Sequence, residues 1–515
     1  MTTPATTPTP RTPVSKTKSA KVRAQLDHPV VDADGHWVEL FPIFFDYIAE
    51  VGSAADVDTF RARYGHRFHG WYELTIEERR QRRLRRPSYW GVPINVRDRA
   101  ATALPGLFYD SLDDWGIDLA IVFPSVGLTL GRDIADPELS NLVIRAYNTM
   151  VADLFSPYLD RMVPVGVLSL AEPTEAIEQM EHAHQLGLKV LVTGGTIPRT
   201  IEADAEWQPD PAKRRVYIDA LGVDSPYDYD PVWQKFVDLG IPVTSHSGSM
   251  GWPDRSLSSN FVGNHLGHFA QSHHTFARSL FLGGVTERFP TLNFGFLEGG
   301  VGWACNLYGD LLGHWEKRNR TFMHEHLKPT NLDTSEFRRL FEQYTAGNPR
   351  YEGKIDDIIA QNLDALESDT SQVELTERDL ESDDFARVTI NSQDDIRRLF
   401  TQNFYFGCEA DDPMTSIAFN DKMGLRLKPL LGSDIAHFDV IDATEVLEEA
   451  YELVEDGHIT EENFREFTFS NVVQLYRGMN PSFFTGTVVE AEAEAEFATY
   501  QGRRDQGTSS QRSGH

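Results

Sequence analysis

With 515 residues, 40% of them hydrophobic and 24% charged, the chain has the composition of a soluble globular protein with room for a large core. Its 78 acidic residues outnumber its 48 basic ones, and the resulting formal charge of −30 argues against nucleic acid and anionic membranes as partners. Two cysteines exclude a disulfide framework, and no apolar run reaches the roughly 18 residues of a membrane span, so we expect a cytoplasmic protein.

Eight short apolar runs recur along the chain, and most are followed by an amphipathic segment. They are rich in β-branched and aromatic residues and end at Gly, Pro, Ser or Asp, which is typical of buried strands. Such alternation predicts a parallel sheet covered by helices, and eight units favour a (β/α)₈ TIM barrel. A doubly wound sheet is the alternative, but no GxGxxG turn follows the first strand. The predicted strands are 29–36, 118–125, 162–170, 189–195, 241–248, 292–300, 403–412 and 427–439.

Two long segments interrupt this alternation, and two tails flank it. Residues 40–117 separate the first two strands and residues 314–402 precede the seventh; insertions of this length typically form lids or subunit contacts. We therefore expect one TIM-barrel domain over residues 27–485 that carries both insertions. Residues 1–26 predict a disordered N-terminal tail without a signal peptide, and residues 486–515 predict an acidic and polar disordered tail.

Charged residues alternate along the first predicted strand. Asp32, Asp34 and His36 are two residues apart and should share the face that points into the barrel near its mouth. Burying two carboxylates and an imidazole is costly unless they pair or bind a cation. A metal site and a structural, hydrogen-bonded Asp/His pair would both satisfy this pattern.

His246 and Asp434 end the fifth and the eighth predicted strands, in TSHSG and GSDIAH. Because all strands of a barrel end at the same mouth, these two residues should lie beside Asp34 and His36. Mixed oxygen and nitrogen ligands suit Zn, Mn or Fe. The sequence therefore predicts a divalent metal site built from these four residues.

Four motifs at these strand ends resemble a known family. They are VVDADGHW, VTSHSG, ERFPTLNFGFLEGGVGWA and LLGSDIAHFD. The chain resembles the amidohydrolase superfamily from about residue 29 to 480, in the branch that includes aminocarboxymuconate-semialdehyde decarboxylase and the resorcylate-type decarboxylases. The resemblance implies a metal-dependent TIM barrel in which Asp434 is both ligand and proton shuttle. It also implies four metal ligands: Asp34, His36, His246 and Asp434.

One position departs from this resemblance. The related decarboxylases have a catalytic histidine at the end of the sixth strand, where this sequence has Glu298. A carboxylate changes the protons available to the reaction, although it can serve as a metal ligand or as a base beside a metal-bound water. We expect Glu298 to be a catalytic residue and a metal ligand. Glu409, which ends the seventh strand, is a further candidate.

The segment GNHLGHFAQSHH after the fifth strand supplies four histidines. His265 and His268 are three residues apart and share a helical face, so they could hold a second metal with Glu298. Such a site would resemble dinuclear oxygenases that activate O₂ at iron or a mixed-metal pair. His273 and His274 are expected to line the substrate site. The alternative is that the whole segment lines the substrate or lies at the surface.

Smaller candidates adjoin these motifs. His437 follows Asp434 by three residues, matches the SDxxH pattern of the family, and is expected to orient Asp434 or contact the substrate. Trp37, Trp252 and Trp303 are expected to form walls of the substrate pocket, although large aromatic residues also belong in cores.

The sequence thus predicts a metal-dependent hydrolase or lyase that acts on a small organic acid or amide, by hydrolysis or by C–C cleavage such as decarboxylation. Zinc is the expected metal at a single site, and iron or manganese if the site is dinuclear. An O₂-dependent oxygenase and a non-catalytic subunit are the alternatives. The insertions favour a homo- or hetero-oligomer. The basic run at 79–86 either binds an anionic partner or forms the solvated face of a lid helix.

Overall fold

The structure is a computed structural model of the whole chain. It describes residues 16–64, 71–88, 95–130, 136–201, 216–246, 248–250, 252, 254–327, 331–360, 383–420 and 424–512. The predicted tail residues 1–15 and 513–515 lie outside these ranges. None of the helices in the described ranges is both long enough and apolar enough to cross a membrane.

Eight parallel strands form a barrel, as the sequence predicts. Each pairs with the next in chain order, except that a two-stranded hairpin follows the fourth. Hydrogen bonds from His36 N to Ile435 O (3.0 Å) and from Asp434 N to Asp34 O (3.1 Å) join the first strand to the segment after the last and close the barrel. The barrel strands are β1 (Val31–Trp37), β2 (Leu119–Pro124), β3 (Met162–Val167), β4 (Val190–Thr193), β7 (Val243–Ser245), β8 (Phe294–Phe296), β9 (Phe404–Glu409) and β10 (Pro429–Gly432), and the antiparallel hairpin is β5 (Ile197–Thr200) and β6 (Val216–Asp219).

Helices cover the outside of the barrel. Most have an apolar face that packs on the strands; α9, for example, buries Val232, Trp233 and Phe236 and ends at Gly240, whose φ of 65° suits glycine. The helices are α1 (Lys18–Gln25), α2 (Phe41–Val51), α3 (Ala54–Tyr64), α4 (Ile76–Gln81), α5 (Val96–Ala101), α6 (Pro105–Trp115), α7 (Pro137–Phe155), α8 (Pro173–Gln185), α9 (Asp230–Leu239), α10 (Phe261–His265), α11 (His268–Leu282), α12 (Val285–Arg288), α13 (Gly302–Arg318), α14 (Arg320–Phe322), α15 (Thr334–Thr345), α16 (Ile355–Ala360), α17 (Gln393–Thr401), α18 (Val446–Glu455), α19 (Glu461–Arg465), α20 (Asn471–Arg477) and α21 (Glu490–Arg512).

The first insertion forms α2 to α6 and contacts the loop that follows β7. The guanidinium groups of Arg79 and Arg86 lie 3.6 Å and 5.0 Å from the ring centroid of Trp71. Arg86 N also donates a hydrogen bond to Leu257 O (2.8 Å). Two arginines of the basic run are therefore engaged within the protein: Arg79 contacts Trp71 inside the insertion, and Arg86 joins the insertion to the loop after β7.

Parts of both predicted tails are helical in the described residues. Helix α1 begins at Thr17, whose Oγ1 accepts a hydrogen bond from Ala20 N (3.2 Å). In the C-terminal segment, the alternation of Glu and Ala suggests a solvated tail, but α21 buries Ala493 and Phe497. An ion pair between Arg477 at the end of α20 and Glu494 on α21 (2.6 Å) adds to this packing. Burial of its apolar side chains accounts for order in this segment.

Candidate metal centre

The first strand contains a β-bulge where the sequence suggests regular alternation. The register of β1 against β2 shifts between Asp32 and Gly35. Asp32 joins none of the groups of ligating atoms among the described residues. Its carboxylate instead accepts hydrogen bonds from Asp34 N (3.2 Å), Ser433 N (3.0 Å) and Ser433 Oγ (2.6 Å). Asp32 ties the first strand to the segment after the last one, and the expectation that it shares a site with the next two polar residues is corrected.

Asp34, His36 and His246 converge inside the mouth of the barrel. The Nε2 atoms of the two histidines lie 3.0 Å apart. Asp34 Oδ1 lies 3.5 Å from Nε2 of His36 and 3.3 Å from Nε2 of His246. Tetrahedral zinc with bonds of about 2.0–2.1 Å places its ligand atoms about 3.3 Å apart. All three side chains are buried. The three atoms are thus spaced as one face of a tetrahedral metal site.

The backbone fixes the orientation of His36. Its Nδ1 lies 2.9 Å from Pro124 O, and because a carbonyl oxygen only accepts, Nδ1 carries the proton in this contact. Nε2 of the neutral ring then presents a lone pair to His246 and Asp34. A histidine held by a carbonyl in this way is the usual arrangement of a metal ligand.

Asp434 joins this group from the other side and is linked to a short polar chain. Its Oδ1 lies 3.6 Å from His36 Nε2 and in direct contact with His437 Nδ1. Nε2 of His437 lies 3.2 Å from Ser125 Oγ. Carboxylate, imidazole and hydroxyl therefore follow one another from the centre outward, an arrangement that can hold and transfer a proton.

Glu298 completes the group. Its Oε2 lies 3.3 Å from His246 Nε2, and its side chain is 3% exposed. Together with His36, Asp434 and His437 it forms a cluster whose ligand atoms all lie within 4.8 Å of one another. Glu298 therefore lies at the centre that the sequence assigns to it, although the family that the sequence resembles has histidine there.

Burial and mutual repulsion dominate the electrostatics of the acidic residues. Burial raises the pKa of Asp434 well above its ordinary value, and the neighbouring carboxylates Glu298 and Asp439 raise it further. Burial likewise raises the pKa of Glu298, followed by the effects of Asp34 and Asp439. For Asp34, burial raises the pKa, but contacts with His246 and His36 outweigh it and the pKa is lowered overall. Burial lowers the pKa of His437 well below its ordinary value.

These residues fit a divalent cation. Asp34 Oδ1 and Glu298 Oε2 are buried and accept no hydrogen bond from the described residues. Buried carboxylates of this kind are stable only when they are protonated, paired or bound to a metal. Two imidazole nitrogens and several carboxylate oxygens are also the donors that Zn²⁺, Mn²⁺ and Fe²⁺ prefer. The unpartnered oxygens and the ligand spacing thus point to the same kind of ion.

The structure does not bring His265 and His268 into this group. Within the described residues, neither belongs to a cluster of three or more ligating atoms. Their rings are 4.9 Å apart, but Phe269 lies against His268 at 3.8 Å and against His246 at 5.1 Å. Phe269 therefore packs against both His268 and His246, and the absence of the two loop histidines from the ligand clusters of the described residues corrects the expectation that they act as metal ligands.

The expected substrate-lining residues have different positions. Trp37 is 2% exposed and donates a hydrogen bond to Tyr147 OH (3.2 Å) beneath helix α7, so it belongs to the core instead of a pocket wall. His273 is fully buried on α11, 5.6 Å from the ring of Phe296. The structure thus corrects both expectations, because neither side chain presents surface to a substrate.

The other three expected lining residues are half-buried. Trp252 lies in the loop after β7, where its backbone N donates to Ser249 O (2.9 Å). Trp303 lies at the start of α13, with its ring 6.5 Å from that of His274 and 5.5 Å from that of Phe406. These residues flank the end of the barrel that holds the centre, and their role in substrate binding stays a prediction.

Three residues at the centre were not singled out from the sequence. Ser125 follows β2 directly, and its polar side chain at a strand end was the available signal. Asp439 lies within LLGSDIAHFD and forms a second acidic cluster with Glu298 and Glu409. Phe269 gave no signal, because an aromatic residue between histidines also fits a core position.

Comparisons with known proteins agree with this fold. A family model described as amidohydrolase matches residues 31–344, which is more than half of the chain. The chain is similar to the crystal structure of an amidohydrolase from Mycobacterium avium subsp. paratuberculosis, with 15% identity, a TM-score of 0.51, and coverage of 88% of this chain and 100% of that one. This likeness supports the TIM barrel. No curated protein matches the chain significantly.

Two other similar structures have TM-scores below 0.5. One is a 5-carboxyvanillate decarboxylase from Novosphingobium aromaticivorans with manganese, at 13% identity and a TM-score of 0.45, covering 88% of this chain and 97% of that one. The other is a dihydroxybenzoic acid decarboxylase from Polaromonas sp. with manganese, at 14% identity and a TM-score of 0.43, covering 87% and 97%.

Proposed function

This chain belongs to the amidohydrolase family, and we propose that it cleaves a C–N, C–O or C–C bond of a small organic acid or amide at a divalent cation bound in the mouth of its barrel. The observation that carries this proposal is the convergence of Asp34 Oδ1 with the Nε2 atoms of His36 and His246, all within 3.5 Å of one another. Zinc is the ion that we expect first, because this spacing suits tetrahedral coordination.

The residues that would hold the cation are Asp34, His36, His246 and Asp434. When bound, such an ion lowers the pKa of a coordinated water and polarises a substrate oxygen. The protein positions these ligands from three different strands, and the hydrogen bond between His36 Nδ1 and Pro124 O keeps one imidazole in its required orientation.

Asp434 would move the proton. Asp434 Oδ1 would accept a proton from the attacking or departing group, and His437 Nδ1, with which it is in direct contact, orients this carboxylate. Ser125 Oγ lies 3.2 Å from the opposite nitrogen, so it holds the imidazole in place during the transfer. Proton transfer by such a positioned group typically contributes about 10²–10⁴-fold to a rate.

The proposal is tested by measuring metal content and turnover on the same preparations. Purified protein, loaded with Zn²⁺ or Mn²⁺, is offered amides, esters and small carboxylic acids, and release of amine, alcohol or CO₂ is followed. We expect turnover of at least one class, and its loss by about 10²-fold or more in Asp434→Asn. Asp411→Asn removes an exposed carboxylate near the same mouth and should leave turnover unchanged.

Metal content is measured separately in His246→Ala. This variant removes one of the two converging imidazoles, and we expect it to lose the bound cation while its circular dichroism spectrum stays that of the parent. Full metal occupancy in His246→Ala, or parental turnover in Asp434→Asn, would refute the assignment.

A further inference from the structure

Residues 331–360 of the second insertion, which we call the arm, stand apart from the barrel. They include α15 and α16, and not one of them is buried. None of the apolar side chains of the arm packs on the hydrophobic core. Within the described part of the chain, the hydrogen bonds, ion pairs and ring contacts of residues 332–360 join the arm only to itself. The barrel therefore does not cover this segment.

Large apolar side chains form a stripe along α15. Phe337, Leu340, Phe341 and Tyr344 recur at intervals of three and four residues, so they share one face of the helix. Leu340 is 38% exposed and Tyr344 is 78% exposed. The ring of Tyr351, 5.8 Å from that of Phe341, continues this face toward α16. Because a helix of 12 residues is marginally stable by itself in water, α15 needs another surface to cover its stripe.

The charged residues of the arm have both signs. Two ion pairs lie within it, Arg338 with Asp356 and Arg339 with Glu336. Its other charged residues form no ion pair within the described ranges; they are Asp333, Glu342, Arg350, Glu352, Lys354 and Asp357. A surface that meets its own copy repels itself when all of its charges have one sign, as on α18, where every charged residue is acidic. The mixed charges of the arm avoid this repulsion.

We propose that two copies of this chain associate through their arms, with the stripe of each α15 covering that of the other. In a two-fold contact the same surface serves both sides, so the stripe meets an apolar face of equal length. Arg350 and Lys354 of one copy can then face Glu342 and Asp357 of the other, which makes the contact complementary in charge. Standard interfaces use about 20–30 residues a side, and the arm offers 30 residues of which none is buried. This association is independent of the metal centre and goes beyond the proposed function.

The double variant Leu340→Glu/Tyr344→Glu tests the proposal, because it places two carboxylates on the stripe. The mass of the full-length protein in solution is measured by analytical ultracentrifugation at micromolar concentration. We expect the parent to have twice the mass of one chain and the double variant to be a monomer, with association at least about 30-fold weaker. Neither side chain contacts the core, so the variant should keep the cooperative thermal unfolding of the barrel.

The matched control is Ser335→Glu/Gln343→Glu, which adds the same two charges to α15 outside the stripe. Both residues are exposed, and a carboxylate at 343 can still accept the hydrogen bond from Arg339, so this variant should remain a dimer. Hydrogen exchange locates the contact: the amides of α15 should be protected in the parent and exchange faster in the Leu340→Glu/Tyr344→Glu variant.

Three results would overturn the proposal. A monomeric parent would leave the stripe to a different protein. A Leu340→Glu/Tyr344→Glu variant that stays dimeric would place the contact elsewhere in the chain. A dimeric parent whose α15 amides exchange as fast as those of this variant would do the same.

Discussion

Glu39 offers a test of how the centre is supported from outside. Its side chain is buried beside the turn that follows β2. Oε2 accepts a hydrogen bond from Val126 N (2.8 Å), and Oε1 accepts one from Gly127 N (2.8 Å) and one from Tyr147 OH (3.2 Å). This turn comes directly after Ser125, so the carboxylate holds the segment that positions the serine.

Replacement of Glu39 by alanine removes the acceptor of two backbone donors and one hydroxyl. Each buried donor left without a partner costs about 1–3 kcal/mol, which gives about 3–9 kcal/mol for the three groups. Burial of the charged carboxylate is itself unfavourable, and it raises the pKa of Glu39. Removing the carboxylate avoids this desolvation cost, which offsets part of the loss from the three unpaired donors. We therefore expect Glu39→Ala to lower the free energy of unfolding by about 3 kcal/mol.

The assay is urea-induced unfolding at 25 °C, followed by circular dichroism, on the metal-loaded protein. Glu50→Ala is the control: Glu50 is exposed on α2, and its replacement should change the free energy of unfolding by less than about 0.5 kcal/mol. If Glu39→Ala lost less than about 1 kcal/mol, the turn would not depend on this carboxylate, and the reasoning would be refuted.

Three further outcomes are expected. Ser125→Ala removes the hydroxyl 3.2 Å from His437 Nε2, so kcat should fall about tenfold while KM and bound metal stay unchanged; an unchanged kcat would exclude a positioning role. Chelation by EDTA should lower the melting temperature by several degrees, because an ion present at about 1,000 times its Kd stabilises the folded state by about 4 kcal/mol; an unchanged melting temperature would contradict a tightly bound ion. Burial lowers the pKa of His273 to about 3 from an ordinary 6.5, so the folded state binds fewer protons than the unfolded state between these values. The stability that the neutral ring confers is thus present above pH 6.5 and lost as the pH falls toward 3, and His273→Leu should flatten the decline of the melting temperature with acid; equal slopes would contradict this.

The barrel could be predicted because each of its strands is a continuous apolar run. Strands buried on both faces need such runs, and turn residues separate them from the helices. The hairpin of β5 and β6 was missed for the same reason. Its strands, Ile197–Thr200 and Val216–Asp219, have four residues each and include arginine, threonine and aspartate, and their antiparallel partners lie far apart in the sequence.

The centre could be predicted where a strand end fixes the direction of a side chain. Asp34, His36, His246 and Asp434 all follow from the rule that parallel strands end at one mouth. His265 and His268 lie on helices beyond that edge, where proximity to His246 in the sequence does not determine which way a ring points. In the structure Phe269 packs against His268 and His246, and no periodicity in the sequence predicts this contact.

The backbone at the centre shows what the carboxylates require. Six described residues other than glycine have positive φ, and three of them lie here: Glu298 (55°), Asp434 (49°) and Ala436 (101°). This conformation costs about 1 kcal/mol or more for a residue with a Cβ, and glycine would adopt it with less strain. Glycine at 298 or 434, however, would remove a carboxylate from the cluster. Glu298 and Asp434, the two acidic residues with positive φ, therefore lie at the centre. At these two positions the need for a carboxylate, and not backbone stability, explains the choice of residue.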